Sequence, residues 1–86
     1  MKKTIYGNLK EVSPIFTNKA HQKQQTLTVM TDEQKLIKLT LFENLVQKFM
    51  KYEETGLFHF HCKIRASEGN NGKIIIYYNV CDFNKE

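Results

Sequence analysis

From Phe58 to Arg65 the chain alternates without interruption: Phe58, Phe60, Cys62 and Ile64 fall on one side, His59, His61, Lys63 and Arg65 on the other. Successive residues of a β-strand point to opposite faces, so this segment predicts a strand over 57–66 with an apolar face on a core. Its outward face carries four basic or near-basic groups and no carboxylate, a surface suited to an anionic partner. The same period recurs elsewhere. Residues 3–15 predict a first strand, with Ile5, Gly7 and Leu9 alternating against Thr4, Tyr6 and Asn8. Gly7 marks a bend or a close backbone approach, and Pro14 ends the strand or places it at an edge. Residues 16–24 are polar, basic and aperiodic, and read as a loop. A second strand follows at 25–31, with Leu27 and Val29 inward and Thr26, Thr28 and Met30 outward. Asp32-Glu33-Gln34 is short enough for a hairpin connection to a third strand, Lys35 to Phe42, in which Ile37, Leu39 and Leu41 oppose Lys38 and Thr40.

The period then changes. Phe42, Leu45, Val46, Phe49 and Met50 recur at helical spacing and predict one helix of about ten residues, closing before Thr55-Gly56. After the 57–66 strand, Ser67-Glu68-Gly69-Asn70-Asn71-Gly72 is the strongest turn signal of the chain. A last strand from Lys73 to Phe83 carries Ile74, Ile76, Tyr78 and Val80 on one face. Matching apolar faces across this hairpin pairs Ile64 with Ile76 and Cys62 with Tyr78, which leaves Cys62 and Cys81 unpaired. The order is mainly β: five antiparallel strands with one helix between the third and fourth. That is the order of the OB fold, a small Greek-key barrel. In it Leu45, Val46, Phe49 and Met50 plug the open bottom, and the chain forms a single domain over residues 1–86. An α+β sheet with one covering helix is the competing architecture.

Charge sharpens this picture. The net charge is +4, and the excess sits in residues 1–31, where five lysines face Glu11 alone. A patch of that kind attracts anions, but the ordinary reading of such a charge on a small domain is solubility. No apolar run is long enough to span a membrane. The segment Met1 to Asn8 is charged without an apolar stretch, which argues against a secretory leader, and two cysteines make no disulfide framework. A cytoplasmic location is the resulting expectation.

The stretch Lys38-Leu39-Thr40-Leu41-Phe42, leading into a helix and then Gly56-Leu57-Phe58-His59-Phe60, resembles small bacterial or phage OB-fold proteins of the single-stranded-DNA-binding type. The resemblance covers most of residues 3–84 as an order of elements. It implies binding on the face of strands 2 and 3, flanked by the loops joining strands 1–2 and 4–5, by cations on phosphates and rings stacked on bases. On this chain those positions are Lys19, His21 and Lys23 in the first loop, with Phe16 at its entrance, Lys35 and Lys38 on the face beside Thr28 and Met30, and Asn70, Asn71 and Lys73 in the second loop. Tyr6, His59 and Tyr77 are the stacking candidates. Two departures stand out: the chain has no tryptophan, and Asp82 to Glu86 stands where such proteins carry a long tail with an acidic tip.

Other chemistries find less support. His59 and His61 share a strand face, but Cys62 points away and no carboxylate completes a zinc set, so no metal and no cofactor are expected. There is no phosphate-binding glycine loop and no nucleophile elbow, and Asp32-Glu33 and Glu53-Glu54 read as solvated charge at a turn and a helix end, so an enzyme is not expected. The partner expected is single-stranded DNA, with RNA allowed because contacts to the 2′-hydroxyl leave no readable motif. Homodimer formation would lengthen a short groove. The alternative is a protein-interaction module on the same barrel, an accessory subunit or a small inhibitor from a phage or mobile element.

Overall fold

The computed structural model describes residues 2–52 and 56–86. Its elements are β1 (Lys2–Val12), β2 (Phe16–Thr17), β3 (Lys23–Thr31), β4 (Leu36–Phe42), α1 (Asn44–Phe49), β5 (Leu57–Glu68), a 3-10 turn at Asn70–Gly72 and β6 (Ile74–Lys85). The sheet runs β1-β5-β6-β4-β3-β2, and β1 also pairs with β3, which closes the five long strands into a barrel. This is the OB architecture the sequence predicts, with one difference. The β4–β6 contact, Leu39 opposite Tyr78 and Thr40 opposite Asn79, is parallel, while all other pairs are antiparallel.

Closure depends on β1, which serves two neighbours. Lys2 to Asn8 pair with β5, and Gly7 to Val12 pair with β3. Gly7 and Asn8 belong to both ladders, so the strand passes from one partner to the other there. A Cβ on Gly7 would stand 2.3 Å from the Met30 carbonyl oxygen and 2.7 Å from Val29 Cγ1, so the close approach expected at this glycine is real. A bulge at Lys10 follows. The first strand stops at Val12 and not at 15, because Pro14 cannot extend the ladder. Ser13 finishes it: its amide donates to the Thr26 carbonyl at 2.9 Å, and its hydroxyl accepts from the Thr26 amide at 2.8 Å.

The residues expected to form a loop at 16–24 are a short hairpin instead. Phe16 pairs with Gln24 and Thr17 with Lys23, and the Asn18 side chain holds the turn by accepting from the amides of Ala20 and Gln22. The polar pattern hid this because both faces of so short a pair meet water.

The core consists of Ile5, Leu9, Leu27, Val29, Leu39, Leu41, Val46, Phe49, Phe58, Phe60, Cys62, Val80 and Phe83. Four of these rings, Phe49, Phe58, Phe60 and Phe83, meet with Tyr52 at the helix end of the barrel, with centroid separations of 5.4–6.5 Å. The helix is shorter than predicted, six residues in place of about ten. Val46 and Phe49 are buried and Leu45 half-buried, whereas Met50 is 66% exposed and Tyr52 packs on the core in its place. Phe42 belongs to β4 and not to the helical stripe. The helix end expected at Thr55, and the acidic pair Glu53-Glu54, lie outside the described residues. No described helix is long and apolar enough to cross a membrane.

The β5–β6 hairpin departs from the expected register by two residues. Ile64 opposes Tyr78 and Cys62 opposes Val80, because β5 continues through Glu68 and the turn begins only at Gly69. A shift of two preserves facing, so the inward assignment of Phe58, Phe60 and Cys62 holds. A bulge at Cys81 then moves the alternation by one residue, so that Val80 and Phe83 both point inward. Both cysteines are free thiols, Cys62 in the core and Cys81 exposed on the bulge. Ile74 and Ile76, assigned inward, are 73% and 52% exposed, because the hairpin runs past the barrel core.

Candidate nucleic-acid interface

β3, β4 and β6 turn their outward residues into one groove of about 490 Å³, walled on the far side by the β5–β6 hairpin. Its floor is polar. Thr26 and Thr40 are cross-strand partners, and Thr40 in turn neighbours Asn79. The cations are Lys38 on β4 and Arg65 on β5, and the rings are Phe42, Tyr77 and the half-buried Tyr78. Arg65 and Tyr77 oppose each other in the hairpin ladder, and the guanidinium carbon lies 5.3 Å from the ring centroid. A cation over one ring face both holds the ring and leaves its other face for a planar ligand. Ile75 extends the apolar wall toward the hairpin tip.

Of the residues expected from the sequence, Lys38 and Tyr77 meet in this groove. Lys23 sits one residue before Gln24, which lines the groove, and its backbone is fixed to Glu43: its amide donates to Glu43 Oε1 at 3.2 Å, and its carbonyl accepts from the Glu43 amide at 2.9 Å. Lys19 and His21 are exposed in the β2–β3 turn, where His21 adopts a positive φ of 61°. Asn70 and Lys73 are exposed at the tip of the β5–β6 hairpin. None of these four lines the groove itself.

Three expected residues lie elsewhere. Lys35 does not line the groove: it occupies the β3–β4 connection, 3.7 Å from Glu33, and borders a second depression with Tyr6 and Asp32. Tyr6 and His59 are cross-strand partners on the outward β1–β5 face, with ring centroids 4.5 Å apart. The Tyr6 hydroxyl donates to Glu86 at 2.5 Å, and His59 Nε2 lies 3.7 Å from the same carboxylate. The bond to Glu86 raises the Tyr6 pKa, with a smaller contribution from burial. Their rings are therefore committed to each other and to the C-terminal segment. His61 turns to Thr4, 3.1 Å from its hydroxyl, and among the described residues no three His, Cys, Asp or Glu side chains group to hold a metal.

Phe42, Ile75, Ile76, Tyr78 and Asn79 line the groove without a signal for it in the sequence, and Arg65, read from it as part of a basic strand face beside the groove, lines it too. Arg65 stood out as a basic strand position, but the expected register set it opposite Ile75 and not Tyr77. Phe42 carried a helical signal because it ends a strand two residues before a helix.

No family model matches the chain, and no curated protein matches it in sequence. Among solved structures, the mitochondrial single-stranded DNA binding protein Rim1 of S. cerevisiae superposes in two crystal forms. The first gives a TM-score of 0.78 at 12% identity over 99% of this chain and 94% of that one. The second gives 0.67 at 13% identity, over 98% and 90%. With so little identity the likeness is one of architecture: the chain has the OB fold of these single-stranded-DNA-binding structures.

Proposed function

We propose that this protein binds single-stranded nucleic acid, DNA foremost, with little sequence preference, in the groove between β3–β4 and the β5–β6 hairpin. One observation carries the reading: Lys38 and Arg65 stand with Tyr77 and Phe42 in a single groove. Sequence-tolerant grip on single strands needs that combination, cations for the phosphates and ring faces for the bases. The threonine and asparagine floor donates and accepts hydrogen bonds without selecting one base. Rim1, whose architecture this chain shares, is by its description a single-stranded DNA binding protein. Two copies side by side would lengthen the groove, so pairing belongs to the same reading.

The test is a fluorescence-anisotropy titration with labelled oligo-dT. Tyr77→Ala should weaken binding by about 5- to 150-fold, the equivalent of 1–3 kcal/mol for one stacked base. Lys38→Glu with Arg65→Glu should lower the salt slope by at least about 1.4, the value for two lost phosphate contacts. Variants that bind like the wild type would overturn this placement. The protein-interaction reading is favoured by Ile74 and Ile76, 73% and 52% exposed on the same hairpin. It predicts no oligonucleotide affinity and a loss of partner binding on Ile74→Ser.

A further inference from the structure

The basic face of β5 is not used up by the groove. Strand registers place five outward residues in one row across the sheet: Thr26 on β3, Thr40 on β4, Asn79 on β6, Lys63 on β5 and Lys2 on β1. Adjacent strands are about 4.8 Å apart, so the row runs roughly 19 Å from the groove floor to the first strand. It leaves the groove at Asn79 and passes at once onto two lysines.

Lys2 and Lys63 are direct cross-strand partners, both exposed. Like charges so placed repel each other and destabilise the pair unless an anion lies between them. Among the described residues neither has a carboxylate partner, and the same holds for Lys38 and Arg65. The nearest acid on this face, Asp82, is opposite His61 and already engaged: Lys48 Nζ donates to its Oδ1 at 2.7 Å. Glu86 is held by Tyr6 and His59 further along. At its β1 end the row opens into a cavity of about 240 Å³ lined by Lys2, Lys3, Thr4, His61 and the two cysteines. Lys2, Thr4 and His61 are outward neighbours at its rim, and the space is large enough for a phosphate group.

We propose that the outer β1–β5 face is a second phosphate-binding segment, onto which a single strand passes after leaving the groove, with Lys63 and Lys2 as its phosphate contacts. This rests on the groove being a nucleic-acid site and adds a direction to it: the strand exits across β5 toward β1, not along the hairpin. The segment has cations and no free ring, so it holds the backbone and leaves the bases in solvent.

The test compares two lengths of labelled oligo-dT, about five and about twelve nucleotides, on the full chain, within the 4–16 nucleotides that one OB fold accommodates. Lys2→Gln with Lys63→Gln should leave the short oligonucleotide unaffected. It should weaken the long one about 25-fold at 0.1 M salt and lower its salt slope by about 1.4, the counterion-release value for two phosphates. A thermal melt confirms that this doubly exposed variant folds. Equal affinity of variant and wild type for the long oligonucleotide overturns the second segment while leaving the groove intact. A wild type that binds neither length overturns the groove, and the segment with it. Equal weakening at both lengths also overturns the proposal, because the lysines would then act as general charge.

Discussion

Substituting Gly7 by alanine tests the hinge on which barrel closure depends. The new Cβ would lie 2.3 Å from the Met30 carbonyl oxygen, 2.7 Å from Val29 Cγ1 and 2.9 Å from the Met30 carbonyl carbon. Real Cβ atoms do not come within 3.0 Å of such neighbours, so β1 and β3 must part by about 0.7 Å at the point where Gly7 opposes Thr31. Two of the clashing atoms are backbone, which no side-chain rotation can relieve. Overpacking of this kind costs about 1–3 kcal/mol, and the separation also lengthens ladder hydrogen bonds worth about 1 kcal/mol each. Against this, alanine restricts the unfolded chain and returns about 0.4–1 kcal/mol. The net expectation is a loss of about 2–3 kcal/mol, a large share of the roughly 4–13 kcal/mol that a domain of this size possesses. Urea unfolding followed by far-UV circular dichroism should show a lower midpoint at unchanged slope, with the melting temperature down by about 8–24 °C. A useful contrast is Gly72→Ala, where φ is +73° and nothing lies within 4 Å, so only the backbone penalty of about 1–2 kcal/mol applies. If Gly7→Ala were as stable as the wild type, β1 would not approach β3 here, and the closure described above would be wrong.

Two further outcomes follow from titrating groups. Burial pushes the Cys62 thiol up to about 12, with a smaller contribution from Cys81. At pH 8 only roughly one Cys62 in ten thousand is then thiolate, so a thiol reagent should modify Cys81 alone in the native protein and both in denaturant; fast native modification of both would refute the burial. The hydrogen bond from Lys48 lowers the Asp82 pKa, with a second contribution from the Phe83 amide. A carboxyl depressed below its unfolded value of about 3.9 stabilises the fold above that pH and loses the contribution as pH falls through the folded value. The stability difference between wild type and Lys48→Met should therefore be present at pH 7 and shrink below about pH 4; urea midpoints that differ equally at both ends would count against the pair.

Period-2 and helical patterning made the barrel legible because both report the same thing, which side of an element meets the core. Leu27, Val29, Leu39, Leu41, Phe58 and Phe60 were assigned inward by alternation alone, and all are fully buried. What patterning cannot register is an interruption of the period. The bulge at Cys81 puts Val80 and Phe83 on one side, and no spacing in the sequence announces it. Alternation also cannot say where a core ends, which is why Ile74 and Ile76 carried an inward signal on a hairpin that outruns the barrel. The candidate site was half legible for a related reason. Lys38 and Tyr77 were accessible from strand facing, but the Arg65–Tyr77 pair required the hairpin register, and that depended on β5 continuing through Glu68. Tyr6 and His59 were misplaced because a ring on an outward face does not reveal which side of the barrel it occupies.

Whether a single strand lies in the groove can be read from the backbone amide resonances of the isotopically labelled protein as oligo-dT is added at low salt. Saturable shifts are expected at Thr26, Lys38, Thr40, Arg65, Tyr77 and Asn79, reversed as salt is raised. Shifts absent at micromolar to millimolar oligonucleotide, or confined to Ile74 and the Asn70–Gly72 turn at the hairpin tip, would contradict that placement.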